Sequence, residues 1–179
     1  WDLRAKAQNK QVAELIIPLL TPDAPNRTPR ETLRIYASGG VQYDWDDNPE
    51  SVVDEAIALA DRGFNAYKMR LGTEWAWSGI TVAPLLELLR KVTDAVGARM
   101  ELMLDGNCRL TEEQAAIVAT ELDRLGFAWF EEPIPSSDLE AYARLCASVG
   151  LPITGGESLA TAELFRQALK EAAYDIVQQ

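Results

Sequence analysis

The sequence predicts an α/β fold built as an incomplete (β/α) barrel of the TIM type. Apolar β-like runs alternate with amphipathic helical segments along most of the 179 residues. Three successive runs are each closed by a carboxylate, at Asp105, Glu131 and Glu157, and the interval between neighbours is 26 residues. That interval is the length of one strand, one helix and their connections. The three acids are therefore predicted to lie at one level of a parallel sheet.

Six strands and five intervening helices are expected. The strands are predicted at residues 33–37, 66–71, 100–104, 127–130, 152–154 and 174–177. The helices are predicted from Asn48 to Gly63, over 80–96, from Thr111 to Gly126, from Ser137 to Gly150 and over 161–172. Their start signals are a cap residue followed by proline at 48–49 and capping-box sequences at 111–114 and 137–140. Glycines supply most of the stop signals.

The first 29 residues do not follow this alternation. Residues 1–20 predict one helix that ends near Pro18, and residues 21–29, which contain three prolines, predict a linker. We therefore divide the chain into a helix and linker at 1–29 and a barrel domain at 30–179.

Strict β/α alternation permits two architectures, a doubly wound open sheet or a barrel. A doubly wound sheet gathers its function at one switch point, whereas a barrel collects a residue from every strand end around one axis. Three successive strands that end in acid favour the barrel. A closed barrel has about eight strands and roughly 250 residues. Six strands therefore predict an incomplete barrel that is part of a larger protein.

The composition limits the classes of function. A net charge of −11 argues against a nucleic-acid surface, which needs clustered Lys and Arg, and favours a small-molecule or metal partner. The chain has two cysteines, Cys108 and Cys146, and no apolar run that could be a signal or a membrane span. We predict a cytoplasmic protein with no membrane partner. The chain contains no histidine, which removes the commonest general base.

The three acids indicate a metal site. Oxygen ligands that converge without histidine or cysteine are what a hard divalent cation requires, above all Mg²⁺. Three carboxylates held together would otherwise repel one another. Each acid alone has a second interpretation, as a cap for the helix that follows its strand. We predict that Asp105, Glu131 and Glu157 are metal ligands.

Two cations are predicted to face these acids. Lys68 and Arg70 are two residues apart on one strand, so their side chains share a face and point toward the barrel axis. They can flank a bound carboxylate substrate, or they can only balance the acids as an ion network. Arg70 keeps its proton, so it can only orient or stabilise an anion. Asn107 either orients a ligand or a substrate hydroxyl, or is an ordinary turn residue.

Together these motifs resemble the enolase superfamily and, within it, the acid-sugar dehydratases of the mandelate racemase and muconate lactonizing enzyme branch. The resemblance runs from WDLRAKA through K-x-R at Lys68, D-x-N at Asp105, E-E-P at Glu131 and G-E at Glu157 to DIVQQ. It implies a modified (β/α)₇β barrel with Mg²⁺ held by the three acids. It also implies a separate capping domain outside this chain, from which residues 1–29 would lead into the barrel.

The resemblance further implies removal of the proton α to a carboxylate, which gives an enediolate stabilised by Mg²⁺. We expect dehydration of a sugar acid, with Lys68 and Arg70 as catalytic and substrate-binding residues, Asn107 as a substrate-binding residue, and a homo-oligomeric full-length protein. Family members often carry K-x-K, and Arg70 in the second position disfavours a two-base racemase. The His–Asp base of the branch is expected beyond Gln179, so the fragment alone is expected to be inactive.

Other functions stay open. The same enediolate serves racemases, epimerases and cycloisomerases of hydroxy-carboxylates. Lys68 on a barrel strand also fits a Schiff-base aldolase, and the acids also fit a non-catalytic metal-binding barrel. The long loop after the second predicted strand carries Trp75 and Trp77, which can line a pocket, form an oligomer contact or pack against a helix.

Overall fold

The computed structural model describes residues 1–24, 27–28, 32–40, 48–71 and 82–178. The chain divides into two compact units, Trp1–Arg34 and Ile35–Gln179. No helix in the described ranges is both long enough and apolar enough to cross a membrane. The predicted loop tryptophans Trp75 and Trp77 lie outside the described residues.

The first unit contains two helices, α1 (Asp2–Ala7) and α2 (Val12–Leu20). The prediction of a single helix over residues 1–20 was wrong, because Asn9 adopts a left-handed backbone conformation with φ of 50° and interrupts it. A capping box between Gln11 and Glu14 then starts α2. Pro18 lies inside α2, and the helix continues two residues past it.

The second unit is one sheet of six parallel strands in sequence order, flanked by helices. The strands are β1 (Ala37–Gly39), β2 (Ala66–Arg70), β3 (Glu101–Asp105), β4 (Phe130–Glu131), β5 (Ile153–Gly155) and β6 (Ile176–Val177). The intervening helices are α3 (Ser51–Asp61), α4 (Val82–Val96), α5 (Glu112–Leu125), α6 (Leu139–Ser148) and α7 (Ala162–Lys170).

The strand order confirms the predicted fold class. A doubly wound sheet reverses its order at a switch point, whereas here every strand pairs with its neighbours in sequence. In the described part of the chain β1 and β6 each pair with one strand only, so the sheet is not closed. The barrel is incomplete, as the sequence predicted.

The core lies where the helices cover the sheet. β2 is buried from Ala66 to Met69, with Tyr67 and Met69 at 0% and 1% exposure, because parallel strands covered by crossover helices need apolar residues on most positions. The helices α3 to α7 of this unit contribute apolar residues to this core. Its fully buried members include Val52, Ala56, Leu85, Leu89, Val118, Leu122 and Leu145.

Several strands lie later in the chain than predicted. β4 pairs at Phe130 and Glu131 rather than over 127–130, and β1 and β6 are likewise displaced toward their C-terminal ends. The apolar run before Phe130 leads up to the strand, where the Ala128 N–H donates to the Leu102 carbonyl. Apolar runs mark burial, while strand bounds depend on where neighbouring backbones meet. Asp105 and Glu131 consequently belong to the strands themselves, as their last residues.

The helix starts were predicted with mixed success. Thr111 is the N-cap of α5 and makes the predicted capping box with Gln114, and Gly126 ends the helix in a left-handed conformation. For α6 the cap is Asp138, which accepts from the Ala141 N–H, and not Ser137. For α3, Asn48 was predicted as the cap, but residues 48–50 form a turn and the helix starts at Ser51.

We predict that Thr111→Ala lowers the free energy of unfolding by about 1 kcal/mol, because the Gln114 N–H loses its side-chain acceptor at the start of α5. The matched control is Thr120→Ala in the same helix. Its hydroxyl only donates back to the Ala116 carbonyl on an exposed face, so its effect should stay within about 0.5 kcal/mol. Chemical denaturation of both variants measures the difference, and equal losses would show that the cap contributes nothing specific.

Candidate metal and substrate site

The carboxyl ends of three neighbouring strands form one row of charged residues. Arg70 at the end of β2 is the register partner of Asp105 at the end of β3, and Asp105 is the register partner of Glu131 at the end of β4. Asp105 and Glu131 are buried, at 7% and 4% exposure. Parallel pairing with no register offset therefore brings together three of the residues predicted from the sequence.

Lys68 lies two residues before Arg70 on β2 and reaches both acids. Its Nζ donates to Glu131 Oε1 at 2.7 Å and lies 3.8 Å from Asp105 Oδ2. Lys68 is itself 8% exposed. Buried charges of this kind require close partners, and here one ammonium group serves two carboxylates.

Arg70 takes the outer side of the same row. Its Nε lies 3.4 Å from Asp105 Oδ2, and its Nη2 donates to Asn107 Oδ1 at 2.6 Å. The side chain of Arg70 is 39% exposed, so part of the guanidinium remains open to an incoming anion. Lys68, Arg70 and Asn107 therefore lie against the two buried acids, as predicted.

The protonation equilibria reflect this crowding. Burial raises the pKa of Asp105 above its ordinary value, the Asn107 N–H works against that shift, and the charge of Glu131 adds to it. For Lys68, burial favours the neutral amine, but the hydrogen bond and the charge of Glu131 outweigh burial and raise the pKa above its ordinary value. Lys68 is thus held as an ammonium ion next to an acid whose pKa is raised mainly by burial.

The turn after β3 fixes the direction of the Asp105 carboxylate. The Asn107 N–H donates to Asp105 Oδ1 at 2.8 Å, and Asn107 and Cys108 both have positive φ, at 51° and 56°. The Gly106 N–H donates to the Glu131 carbonyl at 2.7 Å, and a Cβ on Gly106 would lie 2.6 Å from the Cα of Pro133. The turn therefore lies directly on the end of β4. A left-handed asparagine is common in turns, so Asn107 is a turn residue whose N–H also holds the Asp105 carboxylate. Its role in substrate binding stays a prediction.

Glu157 occupies a different environment. It lies two residues beyond the end of β5 and is exposed. No set of three acidic or cysteine side chains in the described ranges is close enough to hold one ion. The structure thus brings Asp105 and Glu131 together and leaves Glu157 apart, and its role as the third ligand stays a prediction.

The donor set nevertheless fits a hard divalent cation. Asp105 and Glu131 supply only oxygen, and they adjoin at one level of the sheet. Mg²⁺ is commonly bound by one or two carboxylates while it keeps several waters. The pair is therefore a sufficient protein contribution to such a site.

Three residues of this region were missed by the sequence reasoning. Trp129 donates from its indole to Glu131 Oε2 at 3.4 Å, and Tyr36 lies with its ring under Lys68 Nζ. Glu132, beside Glu131 in the chain, is buried at 4% exposure and accepts from Cys108 Sγ. Trp129 stands two residues before Glu131, and this period-two spacing was the available signal. Tyr36 offered no such signal, because only the pairing of β1 with β2 brings it to Lys68.

A cleft of about 500 Å³ opens elsewhere, between the β4–α6 connection and α7. Its polar lining includes Ser136, Asp138, Ser158 and Glu171. Among the described residues that border this cleft there is none from the row of buried acids. The cleft therefore does not border the buried acids of the candidate site.

The fold and this acid row define a β/α-barrel protein with two buried carboxylates at neighbouring strand ends. The chain belongs to the enolase C-terminal domain-like family, whose model matches residues 51–179. Solved structures with a similar fold include mandelate racemase/muconate lactonizing enzyme-like proteins. The resemblance to the enolase superfamily and to this branch is thereby confirmed.

Individual relatives are sugar-acid enzymes. The chain is 32% identical to a D-galactarolactone cycloisomerase of Agrobacterium fabrum and 28% identical to an arabinonate dehydratase of Saccharolobus solfataricus. Each match covers 99% of this chain and 43% of the relative, so the chain spans less than half of their length. A racemase from Streptomyces coelicolor A3(2), solved with bound magnesium, is 26% identical with a TM-score of 0.68 over 81% of this chain and 41% of that one.

We predict that Lys68→Met lowers the free energy of unfolding by about 3 kcal/mol or more, because it leaves Asp105 and Glu131 buried without their shared counter-charge. Lys91→Met is the matched control. Lys91 pairs with Glu50 and Glu87 on the surface, where solvent screens an ion pair and its contribution to stability is small.

Denaturant titration of both variants measures the difference. Combining Lys68→Met with Glu131→Gln should recover part of the loss, because it removes one of the stranded charges. If Lys68→Met costs no more than Lys91→Met, the ion pair does not stabilise the fold as described.

Proposed function

We propose that this chain is the metal-binding part of a Mg²⁺-dependent enzyme that removes the proton α to the carboxylate of a sugar acid. The observation that carries the proposal is the row of Arg70, Asp105 and Glu131 at three successive strand ends, with Lys68 buried against both acids. The family, the sugar-acid relatives and the magnesium-bound structure support it.

In this proposal Asp105, Glu131 and Glu157 hold the metal. When bound, Mg²⁺ supplies positive charge that stabilises the negative charge developing on the substrate carboxylate as the α-proton leaves. Glu157 is exposed two residues past β5 and directly follows Gly155 and Gly156. The three acids thus share hard oxygen chemistry although two are buried and one is not.

The cations of the site bind and orient the substrate. The raised pKa of Lys68 keeps it an ammonium ion at neutral pH, and the guanidinium of Arg70 does not lose its proton. Both therefore stabilise anions rather than remove protons. Arg70 Nη2 donates to Asn107 Oδ1. In this proposal the Asn107 side chain forms a hydrogen bond with a hydroxyl group of the substrate.

The base that removes the proton is proposed to lie in a part of the enzyme beyond this chain. The sequence given has no histidine, and its two site cations are both held protonated. The relatives are more than twice as long as the match to this chain. A homo-oligomeric state and a cytoplasmic location stay predictions.

We favour dehydration as the reaction, in keeping with the arabinonate dehydratase relative. A cycloisomerase is the second candidate, because the relative with 32% identity carries that activity. Both begin with the same proton abstraction. A Schiff-base aldolase is disfavoured, because a lysine that attacks a carbonyl needs a lowered pKa and the pKa of Lys68 is raised.

The metal assignment is tested by isothermal titration of Mg²⁺ into the wild-type protein and into Asp105→Asn, Glu131→Gln and Glu157→Gln. Each substitution removes a charged oxygen ligand, so each should weaken binding by about tenfold or more. Glu140→Gln is the control, because the Glu140 side chain is 85% exposed on α6. No heat of binding in the wild type would contradict the metal site, and normal binding by Glu157→Gln would remove Glu157 from it.

The reaction class is tested in the full-length protein with a library of sugar acids in D₂O. We expect Mg²⁺-dependent loss of water from one acid, abolished by chelation, and a loss of about tenfold or more in kcat/KM for Arg70→Gln because an anion contact is gone. Deuterium exchange without dehydration would favour an epimerase, and ring formation or opening without loss of water a cycloisomerase. Borohydride trapping of a substrate on Lys68 would contradict the proposal.

A further inference from the structure

An aromatic pair lies beneath the Lys68–Glu131 ion pair. Tyr36 directly precedes β1, and Trp129 directly precedes β4. The centroids of their rings are 5.9 Å apart, and the interplanar angle is 75°. This edge-to-face arrangement is one that aromatic rings favour. The two residues come from opposite sides of β2 and β3 in the sheet order, and their rings meet at the position of Lys68.

Each ring touches one partner of the ion pair. Lys68 Nζ lies over the face of Tyr36, 5.3 Å from its centroid, where the negative potential of the ring attracts a cation. The Trp129 indole donates to Glu131 Oε2 at 3.4 Å, while Lys68 donates to the other oxygen, Oε1, at 2.7 Å. The two oxygens of Glu131 therefore have different donors.

This arrangement restricts both groups. A carboxylate that accepts from one donor can rotate, whereas donors on both oxygens fix the orientation of its plane. An ammonium group that donates to Glu131 and lies over a ring is held from two directions. Arg62 also lies over an aromatic ring, 5.4 Å from the centroid of Phe64. Among the described contacts it has no carboxylate partner, so this cation is held from one direction only.

We propose that Tyr36 and Trp129 are positioning residues of the site: Tyr36 holds the ammonium of Lys68, and Trp129 orients the carboxylate of Glu131 toward the metal. The assignment for Trp129 rests on the proposed function, because it concerns Glu131 as a metal ligand. The assignment for Tyr36 concerns only the place of Lys68. The two parts therefore have separate tests.

The first test is NMR of the protein labelled on its lysines, of which the chain has five. The ε-methylene protons of Lys68, assigned by their loss in Lys68→Arg, should be shifted upfield by the ring current of Tyr36. Tyr36→Leu should move them downfield toward the positions of the other four lysines, while Tyr36→Phe should leave them in place because it keeps the ring. If Tyr36→Leu does not fold, Tyr36→Met replaces it. Unchanged Lys68 signals without the ring would overturn the role of Tyr36.

The second test is Mg²⁺ titration of Trp129→Phe, with thermal unfolding of the same sample. The phenyl ring still meets Tyr36 but cannot donate to Glu131, so Mg²⁺ binding should weaken by about tenfold while the Lys68 signals stay in place. Trp1→Phe, in the other unit of the chain, is the control. Lower thermal stability with unchanged Mg²⁺ affinity would overturn the role of Trp129. Absence of Mg²⁺ binding in the wild type would instead reject the proposed function and leave the NMR test unaffected.

Discussion

The buried contact between Lys68 and Glu131 is the interaction on which the rest of the site depends. Asp105 and Glu131 end adjacent strands with their side chains at one level, and burial raises the pKa of Asp105. The ammonium of Lys68, 2.7 Å from Glu131 and 3.8 Å from Asp105, is a counter-charge that the two acids share. Its contact with Glu131 outweighs burial and raises the pKa of Lys68. One ion pair thus links charged groups on three strands and assigns the lysine an electrostatic role.

Three kinds of contact hold this ion pair in place. The parallel register of β2, β3 and β4 sets the level of the charged row. The turn through Gly106 lies on the end of β4 and directs one oxygen of Asp105 toward a backbone N–H. Below the pair, the aromatic rings of Tyr36 and Trp129 contact its two members. The charged groups of Lys68, Asp105 and Glu131 are therefore held by strand pairing, by the turn after β3 and by two aromatic rings.

Membership of the enolase C-terminal domain-like family agrees with a site that stabilises an anion. In the proposed function Lys68 and Arg70 act as cations that stabilise charge on the substrate. This role is physically reasonable in a barrel, where catalytic groups come from several different strand ends.

The sequence by itself determined the class of fold and most of the site. Periodicity and equal spacing predicted six parallel strands and placed Asp105 and Glu131 at one level, because one β/α unit has a characteristic length and each acid ends its apolar run. It also placed Lys68 and Arg70 on one face, because strand side chains alternate. Only the tertiary structure decided that Glu157 lies apart from the buried pair, that Asn9 divides the first predicted helix, and that Tyr36 and Trp129 meet at Lys68. The division at Asn9 depends on local backbone conformation, and the other two features depend on how segments distant in the chain are arranged in space. Hydrophobic periodicity predicts neither.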